Sequence, residues 1–444
     1  MTVIAYVLGV LLFAVGVAVS IALHEFGHLI PGKLFNVRVS EYFVGFGRTI
    51  WSKRIGETEY GLKAIPLGGY CKLIGMLPPD ERRGTEDEQD AQEGERVRSR
   101  STGMFSQLMD DARSAEYELV QPGDEDRMFY RLPWWKRVII MGSGVAVNLV
   151  LAVILFGAVF MGHGVLVAKP QVQAVSQCVI AVRDGDQTRE CTSADPQSPA
   201  AKAGLRAGDE ITDFNGTRIT DYAQLQKLIR GNGDGAARLG VVRDGERLTL
   251  TTDTTVSARP DPDDPETVSR VGFLGITPVQ ETERQGPGYV IDTMSSATWQ
   301  TLKTLGRLPV EVYHVGRAAL GLEERDPEGP MSVVGAGRVA GEITSQQQTP
   351  VVDRFFSVVL IIAGLNLFLG LFNLVPLPPM DGGQIAPTLY EALRRGWARL
   401  RRRPDPGFVD AAKLLPLTYV MATLILVGSV VLILGDILAP VTLQ

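Results

Sequence analysis

The sequence predicts a polytopic α-helical membrane protein of four transmembrane helices. It adds a membrane-associated β-hairpin region and an extracytoplasmic α+β domain. Three observations predict this. Four stretches are almost wholly apolar and long enough to cross a bilayer, which takes about 20 residues. The 444 residues are 45% hydrophobic, yet the stretches between those runs are rich in Asp, Glu, Arg, Gly and Pro, so the average hides a segregation. Basic residues cluster on alternate loops, which sets a topology. The formal charge of -6 is spread over both signs, and no basic stripe with interleaved aromatics supports nucleic-acid binding.

Each element follows in order. Residues 1–31 read as the first transmembrane helix. It lacks a basic n-region and an A-x-A-like cleavage site, so it reads as retained rather than removed. Pro31 and Gly32 are expected to end it. Residues 37–77, with "SEYFVGFG" and several Gly pairs, read as short strands and hairpins against the cytoplasmic membrane face. Residues 78–130 are charged and read as a disordered cytoplasmic insert. Trp134, Trp135, Lys136 and Arg137 form an interfacial anchor, and residues 136–163 are the second transmembrane helix. Residues 165–280 read as a soluble extracytoplasmic domain of short strands. Residues 289–350 have apolar positions at roughly helical spacing and read as an amphipathic, interfacial segment. Residues 352–383 hold the third transmembrane helix, 384–413 a basic cytoplasmic loop, and 415–438 the fourth helix. The basic residues after helix one, and Arg394, Arg395, Arg399, Arg401, Arg402 and Arg403 between helices three and four, place both loops in the cytoplasm. Both termini and the 165–350 region then lie outside.

The first helix ends in His24-Glu25-Phe26-Gly27-His28, an H-E-x-x-H motif. Side chains four apart lie on one helix face, about 6 Å apart along the axis. Two imidazoles so placed can share one zinc ion, and Glu25 can take a proton from water. Ordinary interfacial histidines are the plainer reading. Against it, the chain has only 4 histidines and two flank a glutamate at this spacing. Ionisable groups inside a membrane helix are functional by default. A soluble zinc protease is excluded, because the motif ends a spanning helix.

Catalytic zinc wants a third protein ligand and an open position. His163 lies at the outer end of helix two and His314 in the outer segment, so neither is well placed. Asp381, in "LFNLVPLPPMDGGQ", follows helix three on the same side as His24 and His28. "DGG" alone is ordinarily a solvated turn. Its coincidence in depth with the zinc helix favours a ligand, and Gly382 and Gly383 let the backbone come close.

"HEFGH" in the first helix with "NLVPLPPMDGG" after a later one resembles the site-2 protease family of intramembrane zinc metalloproteases, the bacterial single-PDZ type of regulated intramembrane proteolysis. The resemblance implies that His24, His28 and Asp381 hold one catalytic Zn2+ and that Glu25 is the catalytic acid/base. "GSGVAVN" is similar to a Gly-rich family segment ending in Asn148, and Asn373 holds the matching place before the Pro-rich turn. Both are implied to position substrate. Gly144-Val145 departs from the family's frequent Gly-Pro. "GPMSVVGAG" is similar to a segment preceding the third helix.

The implied activity is endoproteolysis within or near transmembrane segments of single-span substrates. It would be the second cut of a cascade, such as anti-sigma factor release, after an outer-side first cleavage. The implied partners are such substrates and the lipid bilayer. The implied place is the cell (inner) membrane, with the active site near the cytoplasmic side. A non-catalytic PDZ-bearing scaffold would predict a decayed motif. A metal transporter would predict more polar residues along several helices.

"SPAAKAGLRAGDEITDFNGTRITDYAQLQKLI" resembles the core of a PDZ domain, with Gly204, Leu205, Gly208 and Asp209 forming its loop and "GFLGITP" its closing strand. Whether it captures a new C-terminus or acts as a size filter stays open. "QCVIAVRDGDQTREC" is an insert with a hairpin turn expected at Asp184-Gly185. Cys178 and Cys191 flank it on the oxidising side and are expected to form a disulfide. Cys71, inside, is expected to be a free thiol.

Overall fold

The computed structural model describes residues 2–78, 104–180, 191–192, 195–260, 268–327, 329–347 and 349–441. They form two compact units, Met1–Val159 with Gly286–Gln444, and Phe160–Gln285. The membrane unit opens with α1 (Thr2–Leu34), β1 (Val39–Ile55), β2 (Thr58–Leu73), α2 (Met104–Tyr117) and α3 (Trp134–Gly157), which ends in a π-helical turn. The second unit holds β3 (Val165–Val175), α4 (Pro199–Ala203), β4 (Glu210–Phe214), β5 (Thr217–Arg218), α5 (Tyr222–Gly231), β6 (Ala236–Arg243), β7 (Glu246–Asp253), β8 (Thr255–Pro260), β9 (Val268–Phe273) and β10 (Ile276–Glu283). The chain returns to the membrane unit with α6 (Pro287–Ala319), α7 (Val333–Ser345), α8 (Val351–Asn373), α9 (Gly382–Leu400) and α10 (Leu415–Leu438).

Among the described residues four helices are long and apolar enough to span: Val3–Leu34, Trp134–His163, Val351–Asn373 and Ala411–Leu438. The chain is therefore a multi-pass membrane protein with β-sheet regions. Without a hydrophobic drive between helices in lipid, close packing at small residues holds such bundles together. The glycines of α1 show where. A Cβ at Gly9 would strike Thr344, one at Gly16 would lie 2.4 Å from Ile362 Cδ1, and one at Gly27 would lie 2.8 Å from the Ser143 carbonyl oxygen. Those three contacts bring α7, α8 and α3 onto α1 in turn.

Several expectations need correction. The first helix does not stop at Pro31 but continues to Leu34. The proline loses only its own N–H, and its carbonyl still accepts from Phe35 at 2.9 Å. The 78–130 insert is not disordered throughout. From Met104 onward it is folded, and residues 79–103 lie outside the described residues. Charge alone suggested disorder, but these charges are anchors. Arg113 binds Asp410 at 2.7 Å, Glu116 accepts from the Met76 and Leu77 amides, and Asp124 pairs with Arg38. The expected basic loop 384–413 is mostly α9. Its Thr388, Glu391 and Ala398 are buried on one helix face. Finally, α7 does not lie on a surface. Its Gly335, Gly337, Ala340 and Gly341 are buried, Gly337 sits beside Phe13, and Thr344 Oγ1 donates to the Ala5 carbonyl at 2.9 Å. Small residues let it enter the bundle beside the first half of α1.

β1 and β2 fold back on themselves. Tyr42 pairs with both Cys71 and Tyr60, and Phe43 with both Tyr70 and Gly61, while Trp51 to Ile55 pair with Leu62 to Thr58. The segments lie side by side in the order 49–55, 58–63, 41–44, 69–73. Gly45 (φ 94), Gly47 (φ 83) and Gly68 (φ 107) turn the chain between them. Tyr42 Oη donates to the Ala22 carbonyl at 2.7 Å and so ties this sheet to α1.

In the second unit the strand order is β10-β3-β4-β6-β7, with β5 on β4 and a separate β8–β9 hairpin. Helices α4 and α5 pack on a core of Val172, Leu205, Ile211, Phe214, Leu225, Leu239 and Leu274. Ser198 and Asp221 cap the two helices through their side chains. Asn215 (φ 49) and Gly216 (φ 85) form the two-residue turn between β4 and β5. "GFLGITP" is not one closing strand. Gly275 (φ 93) breaks it into the end of β9 and the start of β10. Cys178 and Cys191 are joined in a disulfide, and Cys71 is free. The hairpin turn expected at Asp184-Gly185 lies outside the described residues.

Candidate metal centre

His24 and His28 stand one turn apart near the C-terminal end of α1. The turn after α8 carries Asp381 back to them. A Cβ at Gly382 would lie 2.4 Å from the Leu374 and Val375 carbonyl oxygens, and one at Gly383 would lie 2.4 Å from Pro378 N. Only glycines allow this turn to close so tightly, and α9 starts directly from it.

The three donor atoms form a nearly equilateral triangle. His24 Nε2 is 3.3 Å from His28 Nε2, and Asp381 Oδ2 is 3.3 Å and 3.4 Å from those two nitrogens. A tetrahedron with zinc–ligand bonds of about 2.05 Å has edges of about 3.3 Å. The triangle matches one face of such a tetrahedron, and three protein donors leave its fourth corner for a reactant. The protonation pattern agrees. His28 Nδ1–H donates to the Ile140 carbonyl at 2.8 Å, which leaves Nε2 as a lone-pair donor. Beside it, Asp381 Oδ2 and His24 Nδ1 are buried without a hydrogen-bond partner. The donor set fits zinc: two imidazoles and a carboxylate.

Helix α3 presses on this centre through Gly144. A Cβ there would lie 2.4 Å from His28 Nε2 and 3.0 Å from His24 Cε1. Ser143 Oγ donates to the Gly27 carbonyl at 2.7 Å and locks the crossing. From the other side the sheet approaches, since a Cβ at Gly69 would lie 2.9 Å from Glu25 Cγ and 3.2 Å from Ile21 Cγ2. Glu25 is thus placed between the triangle and the 69–73 segment.

Sequence reasoning brought together His24, Glu25, His28 and Asp381, and they meet. Asn148 is 1% exposed, one turn along α3 from Gly144, with its Oδ1 unpartnered. Asn373 is the last residue of α8 and half-buried. The motif reading named Gly144 only as part of a Gly-rich segment, without its contact with the imidazoles, and it passed over Gly69. It also passed over Asn366, fully buried, which donates to Ser20 Oγ at 2.9 Å one turn before His24. Gly204, Leu205, Gly208 and Asp209 lie in the second unit, around the turn between α4 and β4. All four of their amides are bonded within that unit, to the carbonyls of Ala201, Ala200, Val172 and Arg206. The Asp209 carboxylate is buried and accepts from Arg243 Nε and Nη2 at 2.7 Å and 2.8 Å.

A donor triangle with one open corner and a flanking glutamate, set among membrane helices, defines a metal-dependent hydrolase of a multi-pass membrane protein. The chain matches Peptidase family M50 over residues 12–403. It is 32% identical to zinc metalloprotease Rip1 of Mycolicibacterium smegmatis over 449 aligned residues, covering 98% of each chain. It is 31% identical to Rip1 of Mycobacterium tuberculosis, covering 99% of each. Metalloprotease MmpA of Caulobacter vibrioides is 26% identical over 87% of this chain and 86% of its own. This chain belongs to Peptidase family M50, the site-2 protease family, and is a zinc metalloendopeptidase.

Proposed function

We propose that the protein cleaves single-span membrane proteins within or near their transmembrane segments. One catalytic zinc ion would be held by His24, His28 and Asp381, and the donor triangle is the observation that carries this reading. Zinc bound there supplies Lewis-acid polarisation of the peptide carbonyl and acidifies the attacking water. Glu25 takes that water's proton as oxygen adds to the carbonyl carbon, then delivers it to the departing amide nitrogen. The His28–Ile140 bond holds the imidazole in the required tautomer. Asn148 and Asn373 position the substrate backbone.

A peptide bond inside a helix is shielded by its own hydrogen bonds, so the substrate must be unwound. Among the described residues the 69–73 segment pairs on one side only, with 39–44, and it runs past Glu25. An extended substrate adding to that edge would be presented beside the proton carrier.

The second unit reads as a PDZ domain, and in its 204–209 turn the amides of Gly204, Leu205, Arg206, Gly208 and Asp209 are all bonded within the unit, so that they are not available to hold a carboxylate. That favours a size filter, which admits substrates already cut outside, over capture of a new C-terminus at this turn. We place both termini and this domain outside the cell (inner) membrane and the active site near the cytoplasmic side, from the distribution of basic residues. Release of an anti-sigma factor fits this arrangement as the second cut of a cascade.

Glu25→Gln tests the reading, with purified protein in nanodiscs and a model single-span substrate. Cleavage should fall by about 10²–10⁴-fold. Cleavage at the wild-type rate would overturn the assignment. Asp381→Ala should lose bound zinc, and unchanged occupancy would place the third ligand elsewhere.

A further inference from the structure

Helix α9 has a buried face and, opposite it, an exposed apolar one. The first packs into the protein through Thr388, Glu391 and Ala398. The second carries Leu389, Tyr390, Leu393, Trp397 and Leu400, and Leu393 and Leu400 are 74% and 78% exposed. Positions 389, 393, 397 and 400 share one stripe at helical spacing. Beside this stripe the chain turns strongly basic. Arg399, Arg401, Arg402 and Arg403 are all exposed, and Arg401 lies over the Trp397 ring at 4.4 Å. None of Arg399, Arg402 and Arg403 has an acidic partner among the described residues.

We propose that this face is a binding surface for anionic phospholipid, with Leu389, Leu393, Trp397 and Leu400 entering the acyl boundary and the arginines holding headgroup phosphates. Three further features point to lipid rather than to a soluble partner. The helix is tethered to the bilayer at both ends, because α8 ends at Asn373 and the fourth span begins at Ala411. An indole at the edge of an apolar stripe, with guanidinium groups next to it, is the chemistry of a membrane interface. A cavity of about 580 Å³ also opens beside Tyr390, between the Pro-rich turn and the start of α10, lined by the cations Arg394 and Lys413, by Asp410, which is paired with Arg113, and by the apolar Leu414 and Leu417. It has the polarity of a slot for one headgroup and the first part of its chains. The proposal does not depend on proteolysis, although α9 starts at Asp381 and lipid would steady the element that carries it.

The test uses full-length protein in nanodiscs of phosphatidylcholine with a minority of phosphatidylglycerol, one lipid at a time carrying bromine high on its acyl chains. Subtracting the fluorescence of Trp397→Phe isolates Trp397. Quenching should report phosphatidylglycerol enriched around Trp397 by about fivefold or more, the attraction expected of even one exposed arginine near the surface. Arg399→Gln/Arg402→Gln/Arg403→Gln should bring the preference to parity, and the corresponding lysine variant should keep it. Inorganic phosphate should not compete. Equal quenching by both lipids would overturn the proposal. So would absence of quenching by either, which would mean that a second copy or another protein covers the face.

Discussion

Gly144 stands where α3 meets two imidazoles, and its missing side chain sets the distance. Gly144→Ala should weaken zinc binding by at least about 10–100-fold, the usual loss when the support of a ligand is disturbed. Competition with a chelator measures this. Gly142→Ala is the matched control, because a Cβ there meets nothing within 4 Å, and it should bind zinc as the wild type does. If the two alanine variants bind equally, the close approach at Gly144 has no bearing on the site. The motif residues were legible in the sequence, because H-E-x-x-H encodes its geometry locally through the helix repeat. Gly144 was not, since a glycine advertises its role only once its neighbours are placed.

At the scale of elements, α9 shows why charge misleads. Arg394 to Arg403 read as a basic loop, yet Arg137 and Glu391 join α3 to α9 in a buried pair at 2.6 Å and 3.2 Å. The Val409 amide also donates to Glu391, at 3.1 Å, and Arg395 lies 3.3 Å away. Glu391→Gln leaves Arg137 as a buried charge without its counter-ion and should cost about 3–5 kcal/mol. The thermal midpoint of the protein in nanodiscs would fall accordingly. Arg137→Met combined with Glu391→Leu should recover most of that loss, because the pair's desolvation cost disappears with its attraction. A double variant no more stable than Glu391→Gln would contradict this account. The insert teaches the same lesson, since Arg113, Glu116 and Asp124 are fasteners rather than solvated charge. Continuous apolar length did locate all four spans, because lipid demands it along the whole helix.

At the scale of the whole molecule, the two units answer to different conditions. The second unit carries a buried carboxylate, Asp209. Burial alone would raise its pKa, but the Arg243 guanidinium and the Arg206 amide outweigh it and hold the carboxyl below its ordinary value. A depressed folded-state pKa adds stability above the unfolded value of about 3.9 and loses it as pH falls through the folded value. The unit's stability should therefore change little near neutrality and fall steeply below about pH 4. Asp209→Asn should lower it at neutral pH and flatten that acid slope. Hydrogen exchange of residues 199–253 in the full chain reads both effects, and an unchanged slope would remove Asp209 from the explanation. By itself the sequence determined the four spans, the strand-rich unit and the two motifs, because these depend on local composition, helix repeat and turn chemistry. Tertiary structure alone decided that α7 enters the bundle, that Asp381 completes a triangle of 3.3–3.4 Å sides, and that glycines clear its walls. Those outcomes depend on which surfaces meet, and no single stretch of chain contains both sides of a contact.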